Sequence, residues 1–352
     1  MNRLRDIVAV PIFQAPMAGG PSGAPLAAAV SEAGGLGSLA AGYKSCTEMT
    51  AEIAEVRALT TKPFAVNVFV PHPDHADADD IDAYLVGLRP QAEELGVSIG
   101  DATWDDDDWS AKIEALVADP VAVTSFTFGC PPNEMIVALQ GAGSKVIVTA
   151  TNPEDAATSA RSGADAICLQ GIDAGGHQSV FGDSEEDVRG FGILALLAAV
   201  RGRVDVPLVA AGGLMEGRDV AAVLVAGADA AQLGTAFLRC PESGTNAAHR
   251  AALEAPDLDR TALTRAFSGR TARGVVNRFM TTHRSAPSGY PQINNATKSL
   301  RRAAAARGDY HATSLFAGQN FALGTQRRAA DVVRTLMADC ADILGPTVWT
   351  SG

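Results

Sequence analysis

Short apolar runs, rich in β-branched and small residues, alternate along this chain with longer stretches whose apolar positions recur at helical spacing. The runs fall at residues 12–17, 37–40, 64–70, 122–128, 146–150, 166–170, 208–211 and 231–233. Strands covered on both faces read this way, because neither face needs a polar alternation. Between the runs, residues 47–59 put Ile53, Val56 and Leu59 on one helical face, and 217–226 read as another helix. Pro63 and Pro207 each precede a run, where a helix has ended and extended backbone begins. Eight strands alternating with helices match the count of a closed parallel barrel, so the predicted fold class is α/β, a (β/α)8 TIM barrel.

Two stretches break the rhythm. The first, 71–117, carries His72, His75 and an aspartate run at 105–108 flanked by Trp104 and Trp109; the second extends from 239 and includes a polar segment at 285–295. These insertions are expected to pack together as a small, mostly helical cap and substrate domain, 71–117 with 239–319, over a barrel of 1–70 and 118–238 to which 320–352 return. Carboxylate clusters attract hard cations, but the aspartate run lacks EF-hand spacing and a turn glycine, so it reads as a solvated acidic loop. Pro71 and Pro73 disfavour a helix around His72 and His75, which read as surface histidines.

Composition narrows the partners. The 352 residues are 47% hydrophobic but only 5% aromatic, which suits close helix-on-sheet packing. Aspartate and glutamate total 40 against 28 lysines and arginines, a net charge of −12, so nucleic acid is not an expected partner. The apolar stretch 193–200, between Arg189 and Arg201, is too short to span a bilayer, and the N-terminus lacks the apolar region of a secretory signal. Five scattered cysteines, Cys46, Cys130, Cys168, Cys240 and Cys340, have no paired spacing and read as reduced thiols. The expectation is a cytoplasmic protein, monomer or homodimer, with a small-molecule substrate, no membrane and no metal.

Candidate chemistry gathers at the carboxyl ends of the last three strand runs, where barrels place their sites. Gly212-Gly213 follows the seventh run and Gln232-Leu233-Gly234-Thr235 ends the eighth. Glycines there let backbone amides approach an anion, and consecutive loops of this kind make a phosphate cradle; a lone Gly-Gly pair would serve a tight turn equally well. After the sixth run comes Gln170-Gly171-Ile172-Asp173-Ala174-Gly175-Gly176-His177, which presents a histidine at the barrel mouth. Such a histidine can move a proton near neutral pH or, protonated, pair with an anion. Met17, ending the first run, suits either a flat ring or core packing. Asn67, inside the third run, needs partners that a ligand ring or a network within the barrel can supply.

In their order, Gln14-Ala15-Pro16-Met17-Ala18-Gly19-Gly20, Asn67-Val68-Phe69, Asp173-Ala174-Gly175-Gly176-His177, Ala211-Gly212-Gly213, Gln232-Leu233-Gly234-Thr235, Ser288-Gly289-Tyr290-Pro291 and Leu315-Phe316-Ala317-Gly318-Gln319 resemble the nitronate monooxygenase family, formerly called 2-nitropropane dioxygenases. The resemblance implies non-covalent FMN and oxidation of alkyl nitronates such as propionate 3-nitronate by dioxygen. It implies cofactor contacts at Met17, Asn67, Gln170, Gly175, Gly213, Gln232, Leu233, Gly234, Thr235 and Gln319, with His177 catalytic and Tyr290 bordering the substrate pocket. His177 would hold the anionic nitronate as imidazolium or act as a base. Many members continue the histidine motif with a basic residue and glycine; Gln178-Ser179 stands here instead. Related barrels with a similar turn are nicotinamide-dependent enoyl-acyl-carrier-protein or quinone reductases, the alternative reading. A third is a flavin-binding barrel without turnover.

Overall fold

Burial on both faces drives the apolar runs into one sheet. The computed structural model describes residues 4–182 and 187–345, so the parts of the barrel assignment at 1–3 and 346–352 lie outside the described residues. The strands, in chain order, are β1 (Ile12–Gln14), β2 (Gly37–Ala40), β3 (Phe64–Phe69), β4 (Val123–Thr127), β5 (Lys145–Ala150), β6 (Ala166–Gln170), β7 (Gly176–His177), β8 (Leu208–Ala211), β9 (Ala230–Leu233), β10 (Thr261–Thr264) and β11 (Ala272–Val275). Eight of them pair in parallel in the order β1-β9-β8-β6-β5-β4-β3-β2. The seam closes between β1 and the start of β2, where Leu36 N donates to Ile12 O and Gln14 N to Leu36 O, both at 2.9 Å. Every predicted run contains a barrel strand, but residues 15–17, 70 and 128 have already left the sheet.

The two-residue alternation of a strand sorts side chains between the barrel interior and the helical layer. Phe13, Ala65, Val123, Ile147, Ala166, Cys168, Val209 and Ala230 fill the interior, and Leu4 and Val8 pack against them. Their neighbours Ile12, Ile167, Leu169, Leu208, Ala210, Ala231 and Leu233 pack in a second cluster with Leu26, Leu196, Leu197 and Val220 of the surrounding helices. The helix Ala329–Leu344 packs against Gly217–Val225 and Ala24–Glu32 and so fills the last gap in the outer ring.

The cap is mostly helical, as expected, but one of its helices lies elsewhere and a small sheet joins the rest. The helix Trp109–Ala118, assigned to it by sequence, packs against Cys46–Leu59 and Asn133–Ala142 and buries Ile113 and Leu116 in the barrel's helical layer. The remaining insertions meet where Ala78–Glu94 packs on Gln292–Ala306. Alongside these helices runs an antiparallel sheet, β10-β11-β7, which ties the histidine segment to the cap.

The aspartate run is only in part the solvated loop expected: Asp105 and Asp108 are exposed, but Asp107 is half-buried. Lys112 is fully buried and needs a counter-charge; its Nζ lies 2.8 Å from Asp107 Oδ2 and donates to Ala41 O at 3.0 Å. Asp107 Oδ1 accepts from Tyr43 N (2.8 Å), Asp108 Oδ2 from Cys46 N (3.0 Å) and Asp105 Oδ2 from Asn295 Nδ2 (2.7 Å). His75 is exposed, but His72 is half-buried, with Nε2 2.6 Å from Phe128 O and its own carbonyl accepting from Trp104 Nε1.

Gly37 shows how closely strand and helix approach: a Cβ there would stand 1.9 Å from Ala27 O. Gly37→Ala is therefore expected to lower the unfolding free energy by about 2–3 kcal/mol or more, read from urea denaturation midpoints at constant slope.

Candidate active site

The last inward-facing residues of the strands, with Ala15 just past β1, make a floor of Ala15, Phe69, Thr127, Thr149, Gln170, Ala211 and Gln232. Above it lies a cavity of about 390 Å³, roofed by the helix Gln292–Ala306 and by Phe316. Met17, Gln170, Gly175, His177, Gly213, Gln232, Leu233, Gly234 and Thr235 all line it. Tyr290 lines an adjoining outer chamber, its ring centroid 5.9 Å from that of His177.

Asn67 and Gln319 are not among the lining residues. Asn67 points inward two residues before Phe69, one layer beneath the floor, and its Nδ2 donates to Ser125 Oγ and Thr127 Oγ1, both at 3.0 Å. The internal network is thus formed. Gln319 is exposed; its neighbours Gly318 and Asn320 face the cavity instead.

Gly175 and Gly176 are needed to present His177. A Cβ on Gly175 would lie 2.4 Å from the Ala317 carbonyl carbon, and Gly176 sits at φ 81°, where side chains are disfavoured. β7 then pairs with β11, Ala272 opposite His177. Gln170 braces the turn by donating to His177 O (2.9 Å) and accepting from Ser179 N (2.7 Å). Ser179 Oγ in turn donates to Thr149 O (3.2 Å) and accepts from Phe128 N (2.9 Å). Position 179 thus ties three strand ends together and, like Gln178, is buried.

Positive charge enters elsewhere. The Arg270 guanidinium lies 4.1 Å from the Phe128 ring centroid and bonds Val180 O, and Phe128 makes an edge contact with His177 at 5.8 Å. Among the described residues lining the cavity are Lys298, Arg301 and Arg302, and no aspartate or glutamate. A chain of net charge −12 thus encloses an anion-attracting cavity.

That field, together with burial, acts on His177. Desolvation first, then the charges of Arg270 and Arg301, push its pKa down to about 3. Both effects favour the neutral imidazole, and so the role of base over that of imidazolium. His177 Nε2 is 2.7 Å from Ser268 Oγ, and Ser268 Oγ also reaches Arg270 O at 3.2 Å. With the Ser268 proton on Arg270 O, Nε2 is the donor and Nδ1 carries the lone pair.

Sequence reasoning missed Tyr43, Phe128, Ser268, Arg270 and the Lys298/Arg301/Arg302 ridge. Tyr43 and Phe128 each stand just past a barrel strand, the region where site residues belong, and both have left-handed backbone, φ 69° and 76°. Non-glycine residues held so are strained by about 1–3 kcal/mol each. The ridge was legible as Asn294, Lys298, Arg301, Arg302 and Ala305, one helical face.

The glycine loops could hold the phosphate of a bound cofactor. Gly212 and Gly213, at φ 125° and 69°, and Gly234 bring backbone to the cavity beside a carboxylate-free, cationic wall. A Cβ on Gly176 would meet no atom within 4 Å, because that face is open to the ligand space.

A parallel barrel with paired glycine loops and an imidazole at its mouth defines a cofactor-binding barrel enzyme. The chain belongs to the nitronate monooxygenase family, a family of flavin-dependent oxidoreductases: the family profile matches residues 1–339. A nitronate monooxygenase from Pseudomonas aeruginosa is 44% identical over 94% of this chain and 95% of its own length, and one from Paraburkholderia phytofirmans is 40% identical over 93% and 91%. Among solved structures, nitroalkane oxidase from Streptomyces ansochromogenes superposes with a TM-score of 0.94 at 49% identity, covering 96% of this chain and 98% of that one. FabK from Thermotoga maritima gives 0.75 at 26% identity, covering 98% and 97%. Among the described residues no helix is long and apolar enough to cross a membrane, and no group of three or more His, Cys, Asp or Glu is placed to hold a metal.

Burial also pushes His249 down to about 4. Both histidines have folded pKa values below the ordinary 6.5, so below that pH the unfolded chain binds protons that the folded chain does not. Stability is therefore expected to fall as pH drops from 6.5 towards 4, by up to about 1.4 kcal/mol per pH unit for each histidine. Urea titrations across this range check it, and His249→Gln should flatten the slope.

Proposed function

We propose that this protein binds FMN non-covalently and oxidises alkyl nitronates with dioxygen, His177 serving as a neutral base and hydrogen-bonding group. The observation that carries the reading is the pairing of a cationic, carboxylate-free cavity with an uncharged imidazole at its edge. The two glycine loops would hold the phosphate of FMN, with Met17, Gln170, Gly175, Gln232 and Leu233 beside the rest of the molecule. Bound FMN supplies the electron-accepting ring and passes electrons on to dioxygen.

The protein's own part is binding, charge and proton handling. Arg301 and Lys298 draw a small anion into the cavity, and fixed donors replace its water. For a neutral nitroalkane, the Nδ1 lone pair of His177 would remove the α-proton, with Ser268 holding the tautomer. A nitronate arrives already deprotonated and does not need that step. Five free thiols suit a reducing compartment, in line with a cytoplasmic location.

His177→Ala is expected to lower kcat/KM for a neutral nitroalkane by about 10²–10⁴, and to affect the preformed nitronate by no more than about tenfold, the scale of one lost hydrogen bond. Oxygen-electrode rates with nitroethane and with ethyl nitronate check both. If FMN-loaded protein leaves ethyl nitronate and propionate 3-nitronate unoxidised in air, the reading fails. Rapid anaerobic bleaching by NADH or NADPH near about 450 nm, a band of oxidised flavins, would favour the reductase alternative, which the likeness to FabK keeps specific.

A further inference from the structure

Tyr43 lies on both the inner cavity and the outer chamber. It is held there by features that have no evident purpose in folding alone. Its backbone is left-handed at φ 69°, and its amide is fastened by Asp107, whose other oxygen faces the buried Lys112. The residue before it must be glycine, because a Cβ on Gly42 would lie 2.2 Å from the Phe69 ring. The Tyr43 ring then stands edge-on to Phe69 at 5.4 Å, with Lys298 Nζ 5.8 Å from its centroid.

The Tyr43 hydroxyl oxygen is buried without a well-formed hydrogen bond. It interacts with Tyr290, whose ring lies 5.5 Å from Phe128 and 5.9 Å from His177. Two phenols bring two protons. If one phenol donates to the other, one proton still needs a third acceptor. The nearest carboxylate, Asp107, is already engaged by Lys112 and the Tyr43 amide. No aspartate or glutamate among the described residues lines the inner cavity, although the aspartates at 105–108 line the outer chamber. Arg301, Arg270 and Asp107 all act electrostatically on both phenols, and Asp107 is neutralised in part by Lys112. The acceptor left over is an oxygen inside the cavity, water or a ligand's, and the guanidinium groups of Arg270 and Arg301 favour an anionic one there.

We propose that Tyr43 is a substrate-positioning residue, the second of two phenols that with Tyr290 hold the oxygens of the substrate's nitro or nitronate group. The proposal rests on the function proposed above. It also explains how a pocket with a neutral histidine can grip an anion: two neutral donors hold the oxygens, and distant guanidinium groups supply the field.

The test compares FMN-loaded wild type, Tyr43→Phe and Tyr290→Phe, using nitrate as an inert planar oxyanion and ethyl nitronate as substrate. Calorimetric titration with sodium nitrate reads binding without turnover. Loss of one hydrogen bond to an anion is expected to raise the nitrate Kd and the nitronate KM by about tenfold in each variant. The kcat should stay within about threefold, since ground-state and transition-state oxygens are held alike. The proposal is overturned if Tyr43→Phe leaves both the nitrate Kd and the KM within about twofold of wild type, or if wild type binds no nitrate. Wild type that binds nitrate in a Tyr43-dependent way but oxidises no nitronate would instead sink the functional reading and leave an oxyanion clamp.

Discussion

Inside a closed barrel, a side chain's layer is set by its parity and its distance from the strand's carboxyl end. This constraint decides which residues can meet a ligand. Phe69, Thr127, Thr149, Gln170, Ala211 and Gln232 form the floor because each is an inward position near the mouth, whereas Asn67 and Ser125 lie one step below. The loops add glycines where backbone must come close, and the cap lowers the helix Gln292–Ala306 onto the opening. Small interior residues such as Ala65, Ala166 and Ala230 let the lower layers close without voids or strain.

The electrostatics follow from which charges the fold admits. The chain is acidic overall, but the inner cavity wall carries Lys298, Arg301 and Arg302 and, among the described residues, no carboxylate. Arg270, almost fully buried, acts with its charge on His177 while bonding Val180 O. Ser179 could not be traded for a charged residue cheaply, because its hydroxyl joins Phe128 and Thr149. Suppressing the protonated state of His177 leaves its ring available as an acceptor, and neutral polar groups share the handling of oxygens.

The strands were legible because two-sided burial stamps an unbroken apolar composition on them, and the phosphate cradle because glycine has few other reasons to recur after consecutive strands. His177 was legible from its glycine pair. What escaped was set by tertiary contacts. Nothing local marks Tyr43 as left-handed; its turn is fixed by Asp107, 64 residues away in sequence. The aspartates looked solvated because the burial of Lys112 arises only when its helix docks on the barrel. For Asn67 the sequence fixes a strand, but the layer it occupies and its bonds to Ser125 and Thr127 depend on geometry.

The helix Ala329–Leu344 completes the ring only after some ninety intervening residues have gone to the cap, and it leans on Gly217, where a Cβ would come within 2.4 Å of Asp339. During synthesis, the groove between the first and seventh ring helices must therefore wait, its apolar walls uncovered, until residues 329–344 have been made. Closure of the outer ring is in that sense late: its first and seventh helices share a wall that only the helix beyond the cap can cover.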